Sequence, residues 1–207
     1  MFTAFTAGLL LITISELGDK TFFIAVILAM RHPRHLVLMG VIVALAAMTI
    51  LSVTIGQIFV FLPKLYTHYA AIGLFLLFGF KLLYEASRMT AQTNCAVVGE
   101  AKEAVAISEK NLQGRQNPLA ILIESFMLTF LAEWGDRTQI ATITLATAHN
   151  AIGVTLGAIL GHAICTIIAV MCGCLIAGKV SERWITAIGG FLFLVFAGVA
   201  MVEGAGG

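Results

Sequence analysis

Charge is what this sequence has least of. Of its 207 residues only 11% are Asp, Glu, Lys or Arg, while 60% are hydrophobic. A soluble domain carries roughly a quarter charged residues, so the composition argues against a water-soluble enzyme. The 41 residues from Thr138 to Gly178 hold no charged side chain at all, which reads as membrane protein. A basic excess is missing too. The net charge is +1, and the aromatic residues lie within apolar runs rather than among Lys and Arg, so a nucleic-acid surface is set aside. A disulfide framework is also absent: of Cys95, Cys165, Cys172 and Cys174, three fall in one apolar run, which suits small buried residues. Cys172 and Cys174 do not suggest a soft-metal pair, because alternate residues on a helix point about 200° apart. The N-terminus lacks the basic stretch of a cleaved signal peptide and carries acids directly after its apolar run, so it is read as the first span.

What is present is apolar sequence in membrane-spanning lengths. A span needs about 20 apolar residues, and six segments qualify, approximately Phe2–Met30, Leu36–Leu62, His68–Tyr84, Leu119–Ala148, Ala151–Gly178 and Trp184–Val202. The first and fourth hold charged residues near their midpoints and, at about 1.5 Å per residue, exceed the bilayer unless tilted or broken. Between the third and fourth, Glu85–Asn117 is polar, with eight charged residues and a helix-like patch, EAKEAVAISEK.

The chain also repeats itself. An offset of 117 residues aligns its halves without a gap, pairing Glu16/Glu133, Gly18/Gly135, Asp19/Asp136, Thr21/Thr138, His32/His149, Gly40/Gly157, Thr49/Thr166, Gly56/Gly173 and Gly73/Gly190. Three spans per half is an odd number, so the second half enters the membrane from the opposite side. The expected fold is an all-α integral membrane protein of six transmembrane helices, arranged as two inverted three-helix repeats. Residues 1–84 form the first repeat, 85–117 a linker and 118–207 the second. Lys and Arg are biased to one side: nine lie on the linker side, only Lys64 on the other, and Lys20 and Arg137 are inside spans. The linker is therefore expected in the cytoplasm, with both termini facing away from it.

The chemistry is concentrated in two segments, SELGDKT from Ser15 and AEWGDRT from Ala132, each reading E-x-G-D-[K/R]-T. Residues three apart on a helix share a face, so Glu16 and Asp19 are expected to converge, as are Glu133 and Asp136. The glycine between them lets a helix open. Two such faces at an inverted-repeat axis would gather four carboxylates near the midplane. A central charge costs about 2.5–3.5 kcal/mol on insertion scales, and Asp19 and Asp136 are the only aspartates in the chain. A purely structural alternative pairs Glu16 with Lys20 and Glu133 with Arg137 at i,i+4. That pairing leaves two formal negative charges, which one divalent cation or two protons would neutralise. Oxygen ligands favour Ca²⁺, Mg²⁺ or Mn²⁺. Thr21, Thr138 and Gln139 are candidate neutral donors, and Thr49 and Thr166 form the duplicated polar pair on the second and fifth spans. Their hydroxyls could equally bond their own helices. His162, aligned with Leu45, is a possible proton relay, and a hydrogen-bonded structural histidine is the alternative.

The doubled motif resembles the hallmark of the Gdt-type cation/proton exchanger family, whose members include bacterial and chloroplast manganese exporters and a Golgi manganese–calcium transporter. The resemblance covers essentially the whole chain, and neither copy of the motif departs from the pattern. It implies export of Mn²⁺, in some relatives also Ca²⁺, from the cytoplasm in exchange for protons. The family's essential acids fall on Glu16, Asp19, Glu133 and Asp136, with Lys20, Thr21, Arg137 and Thr138 completing the motifs. The short chain and compact linker look bacterial or cyanobacterial, which points to an inner, plasma or thylakoid membrane. Three rivals differ in kind. A small-solute exporter of the amino-acid type would hold an ammonium group on the same acids. A passive channel would also use acidic rings. An intramembrane metalloenzyme lacks its motif here, since no Glu follows a His and H-E-x-x-H is absent.

Overall fold

The computed structural model describes residues 1–61, 63–89, 91–112, 117–176 and 182–203, and every regular element among them is an α-helix. In chain order these are α1 (Phe2–Glu16), α2 (Lys20–Arg31), α3 (Arg34–Phe59), α4 (Lys64–Arg88), α5 (Ala91–Leu112), α6 (Pro118–Ala132), α7 (Arg137–Ala148), α8 (Ala151–Ile176) and α9 (Glu182–Glu203). Leu62 and Gly178, where two expected spans end, lie outside the described residues, as do the side chains of Cys95, Cys172 and Cys174.

Proline sets where three of the helices begin. Pro33 and Pro63 precede α3 and α4, and Pro118 is the first residue of α6 behind Asn117, whose side chain accepts from the Leu119 N–H at 3.4 Å. A proline there gives up no helical hydrogen bond, because the first-turn N–H groups have no partner inside the helix.

Four helices, α3, α4, α8 and α9, are each long and apolar enough to cross a membrane, and α6 with α7 makes a fifth candidate bent by 74°. The expected first span is divided between α1 and α2, of 15 and 12 residues, and neither is long enough to cross alone. Of the alternatives left by the length of these spans, tilting or breaking, the structure has a break at each acidic motif. Leu17 leaves α1 in an extended conformation and Gly18 follows at φ +80°; Gly135 adopts φ +82° after α6. Asp19 and Asp136 then cap α2 and α7. The motif acids therefore meet across a break, and not on one face of a helix.

The left-handed backbone is the physical reason for a glycine at each break, since an L side chain there costs about 1–2 kcal/mol. Gly18→Ala and Gly135→Ala are each expected to lower stability by about that amount, read by thermal unfolding in detergent. Gly18→Ala is expected to be the worse of the two. Its added Cβ would stand 3.2 Å from Ile185 Cδ1, whereas nothing lies within 4 Å of one at Gly135.

The halves are interlocked. α1 lies along α8 and α3 along α6, so the first helix of each half packs on the long second helix of the other; α4 pairs with α9. Glycine makes the first two crossings close. A Cβ on Gly157 would collide with the Phe5 carbonyl, and one on its repeat mate Gly40 would sit 2.7 Å from the Leu122 carbonyl. α5, which carries the EAKEAVAISEK patch, docks on α2 through Ala101 and Val105, both fully buried. Much of the exterior is apolar, with Leu10, Met39, Ile50, Leu77, Phe80 and Phe191 all exposed. A soluble monomer rarely exposes so much apolar surface, whereas a helix facing lipid gains from it.

Candidate cation site

Each half contributes the same local construction. Glu16 is the last residue of α1, Asp19 caps α2, and Thr21 stands in the first turn of α2; Glu133, Asp136 and Thr138 hold the equivalent places around α6 and α7. Thr21 Oγ1 donates to Glu16 Oε2 at 3.1 Å, and Thr138 Oγ1 donates to Glu133 Oε2 at 3.3 Å. Each threonine thus fixes one oxygen of its glutamate. The other oxygen, Oε1 in both residues, is buried with no hydrogen-bond partner. Both glutamates are almost completely enclosed, at 3% and 2% exposure. A buried carboxylate oxygen left without a partner is costly, and a cation or a proton removes that cost.

The two copies come together in space. One carboxylate oxygen each from Glu16, Asp19 and Glu133 lie within 4.8 Å of one another, close enough for a single metal ion to bind all three. Asp136 stands outside that trio. Its Oδ2 accepts from the Thr138 N–H at 3.2 Å and, at 3.1 Å from Thr138 Oγ1, shares that hydroxyl's single proton with Glu133, so it serves the start of α7, where the helix dipole favours a negative charge.

The cations of the motifs do not pair at i,i+4. Arg137 reaches across to the other repeat and donates to Asp19 Oδ1 at 2.9 Å. Lys20 turns away, to Glu100 of α5 at 3.5 Å, with both side chains largely exposed. Asp19 is thus answered by Arg137 and Asp136 by the N–H groups at the start of α7, which leaves Glu16 and Glu133 without a cationic partner. With Lys20 drawn to Glu100, Arg137 is the one motif cation left among the four carboxylates, so the formal charge there is more negative than the minus two expected from the motifs.

Two small cavities adjoin the acids. One, lined by Glu16, Thr21, His162, Cys165 and Thr166, has a volume of about 10 Å³, as does the other, lined by Glu133, Thr138, Gln139, Thr49, Ser52 and His162. That is room for about one water or ion. Thr49 and Thr166 donate to the carbonyls of Leu45 and His162 at 2.8 Å each, so their hydroxyl protons are spent on their own helices while the oxygens line the cavities. Gln139 braces the second break instead, accepting from the Gly135 N–H at 2.7 Å while its Nε2 faces Met48 Sδ at 3.9 Å. His162 is buried, with Nδ1 3.9 Å from Glu16 Oε1 and no hydrogen bond to that nitrogen. A hydrogen-bonded structural role through Nδ1 is therefore not what the structure has. A larger cleft, about 460 Å³, is elsewhere, between Ala4, His68, Phe75, Leu145 and His149, and none of the four motif acids lines it.

The family of the chain follows from this geometry and from its relatives. The profile of the divalent cation/proton antiporter GDT1 matches residues 4–90 and again residues 121–207. The two matches are offset by the same 117 residues as the internal repeat, and each contains one acidic motif. This chain belongs to the GDT1 family. A GDT1-like protein of Synechocystis is 61% identical over 200 residues, covering 97% of both chains. GDT1-like protein 4 of Oryza sativa is 46% identical over 211 residues, covering 95% of this chain and 72% of the relative. The chloroplastic PAM71 homologue of Arabidopsis thaliana is 44% identical and aligns over 94% of this chain and 58% of its own length. No solved structure matches. As a GDT1 member the chain is an integral membrane cation/proton antiporter, which is a transporter and not an enzyme class.

Sequence reasoning passed over three participants. Glu124 is buried on α6 with Oε2 4.0 Å from His32 Nε2; the available signal was a charge inside an apolar span, hidden because its repeat mate is Ala7. Glu100 looked like one more linker charge and is the partner of Lys20. Met48 lines the Glu133 cavity, and nothing in a methionine on an apolar helix announces that.

Proposed function

We propose that this GDT1 protein exports a divalent cation, Mn²⁺ foremost and Ca²⁺ second, from the cytoplasm in exchange for protons. The observation that carries this reading is the pair of buried, unpartnered Oε1 atoms on Glu16 and Glu133, with an Asp19 oxygen inside the same cluster. With Asp19 held by Arg137, the two glutamates accept one divalent cation or two protons, and occupancy by one excludes the other. Such mutual exclusion makes an exchanger.

In this reading α1 with α2 and α6 with α7 each form one broken span, giving six spans in two inverted repeats. The matching positive-φ glycines, the common 117-residue offset and the reciprocal pairing of α1 with α8 and α3 with α6 support it. Broken helices meeting at an inverted-repeat axis are a recurrent way to build a transporter site. The excess of Lys and Arg on the linker side supports a cytoplasmic linker and outward-facing termini, in a bacterial inner membrane or a cyanobacterial plasma or thylakoid membrane. The cleft beside His149 then opens on the non-cytoplasmic face, and rocking of the halves exposes the acids to each side in turn. The amino-acid exporter finds no support, since the space beside each glutamate is about 10 Å³, enough for about one water and far below an amino acid.

Moving a divalent cation out against 100 mV costs about 4.6 kcal/mol, at about 2.3 per charge, and two entering protons cancel that electrical term. In proteoliposomes Mn²⁺ movement is therefore expected to follow an imposed pH gradient and to ignore an imposed membrane potential. Flux that carries net charge would reject the two-proton stoichiometry, and flux without proton movement would reject exchange.

A further inference from the structure

Several of the polar groups around the acids come in repeat pairs, whereas Ser52, Gln139, Thr142 and His162 stand opposite apolar residues. Glu16 answers Glu133, Thr21 answers Thr138 and Thr49 answers Thr166, but His162 stands opposite Leu45. This matters because the two positions occupy the centre of the site. His162 and Leu45 each line both small cavities, the one beside Glu16 and the one beside Glu133. A single imidazole therefore borders both spaces, with Nδ1 nearest Glu16, and the apolar mate supplies nothing in its place.

The geometry of that imidazole is unusual for a structural histidine. It is 6% exposed, and its Nδ1 has no hydrogen-bond partner. The nearest acidic atom is Glu16 Oε1 at 3.9 Å, which also lacks a partner. That separation is too long for a hydrogen bond. It is within the span that one ion can bridge: with ligand distances of about 2.1 Å, two donors of a common ion stand no more than about 4.2 Å apart. With the imidazole proton on Nε2, Nδ1 and the Glu16 oxygen would be satisfied together by a cation between them.

We propose that His162 is a direct nitrogen ligand of the transported cation, bound on the Glu16 side of the acidic cluster, and that it selects a divalent first-row transition ion such as Mn²⁺ over Ca²⁺ and Mg²⁺. Ca²⁺ and Mg²⁺ take oxygen donors almost exclusively, and Mg²⁺ gives up its water reluctantly. Replacing one oxygen of the shell by an imidazole penalises them more than it penalises a transition ion, for which nitrogen is an ordinary donor. The inference rests on the reading that Glu16 and Glu133 hold the cation, and adds the atom that distinguishes between cations.

The test is pulsed electron paramagnetic resonance on the purified full-length chain loaded with Mn²⁺, since nitrogen bonded to Mn²⁺ modulates the electron spin echo. The unaltered protein is expected to show ¹⁴N modulation. His162→Gln is expected to lose it, at Mn²⁺ concentrations raised to restore occupancy. In proteoliposomes, His162→Leu, which copies the repeat mate, is expected to lower the ratio of Mn²⁺ to Ca²⁺ transport about tenfold. Mn²⁺ bound without nitrogen modulation, or Mn²⁺ and Ca²⁺ transport falling together in both variants, would overturn the nitrogen ligand and leave the carboxylate site standing. Absence of Mn²⁺ binding in the unaltered protein would overturn both.

Discussion

Glu16→Gln and Glu133→Gln are each expected to reduce pH-driven Mn²⁺ transport by at least about 100-fold, because loss of even an outer-shell partner of a metal ligand typically costs 10–100-fold in affinity and these residues offer the unpartnered oxygens themselves. The amide keeps the shape and the threonine contact, since its carbonyl oxygen can still accept from Thr21 or Thr138. What it removes is the negative charge and the proton-binding capacity. Both variants are therefore expected to insert and fold, with unchanged helical content by circular dichroism. Asp136→Asn is expected to be the mildest of the four acid substitutions, because Asp136 is engaged at the start of α7 and its replacement can still cap a helix. Uptake of Mn²⁺ into proteoliposomes under a fixed pH gradient ranks the four. Glu133→Gln retaining more than half of the original flux would remove the glutamate pair from the mechanism.

Arg137 and Lys20 occupy equivalent positions in the repeat and are expected to behave very differently. Arg137→Gln leaves Asp19 buried without its guanidinium, and stranding one member of a buried ion pair costs about 3–5 kcal/mol. The Asp19 and Arg137 side chains are 20% and 24% exposed, so the lower end of that range is the expected loss. Lys20→Gln removes only a surface pair with Glu100, worth about 0–1 kcal/mol. Denaturation in detergent compares the two directly. The double variant Asp19→Asn with Arg137→Gln is expected to recover much of the stability lost in Arg137→Gln, while remaining impaired in transport. Equal destabilisation by the Lys20 and Arg137 substitutions would contradict the asymmetry seen in the structure.

The acids were readable from sequence because intramembrane charge is rare and its duplication rarer, so E-x-G-D-[K/R]-T stood out twice against apolar surroundings. The 117-residue register also told which residues correspond. How the acids meet was not readable in that way. Helical spacing suggested convergence within each motif; Glu16 and Asp19 do converge, but across the break at Gly18, and the third oxygen comes from Glu133 of the other repeat while Asp136 stays outside. Glycine in a helix permits such a break without requiring it. The fate of the two cations was equally hidden, because Lys and Arg at the same repeat position look interchangeable in sequence. Their partners are decided by what packs nearby: α5 beside Lys20, and the opposite repeat beside Arg137. The three prolines, by contrast, all mark helix starts, as the missing N–H of proline dictates.

The reciprocal packing of α1 on α8 and α3 on α6 bears on how the molecule is made. When a ribosome has delivered only the first 90 residues, α1 has no α8 to lie against, and the Glu16 break has neither Arg137 nor Glu133 nearby. The nascent first half must wait in the lipid with its acidic turn unfinished until the chain has grown to Ile176 and brought α8 within reach. Assembly is thus postponed to the last stage of translation, and a ribosome stalled after residue 112 would release a fragment open to capture by membrane quality control.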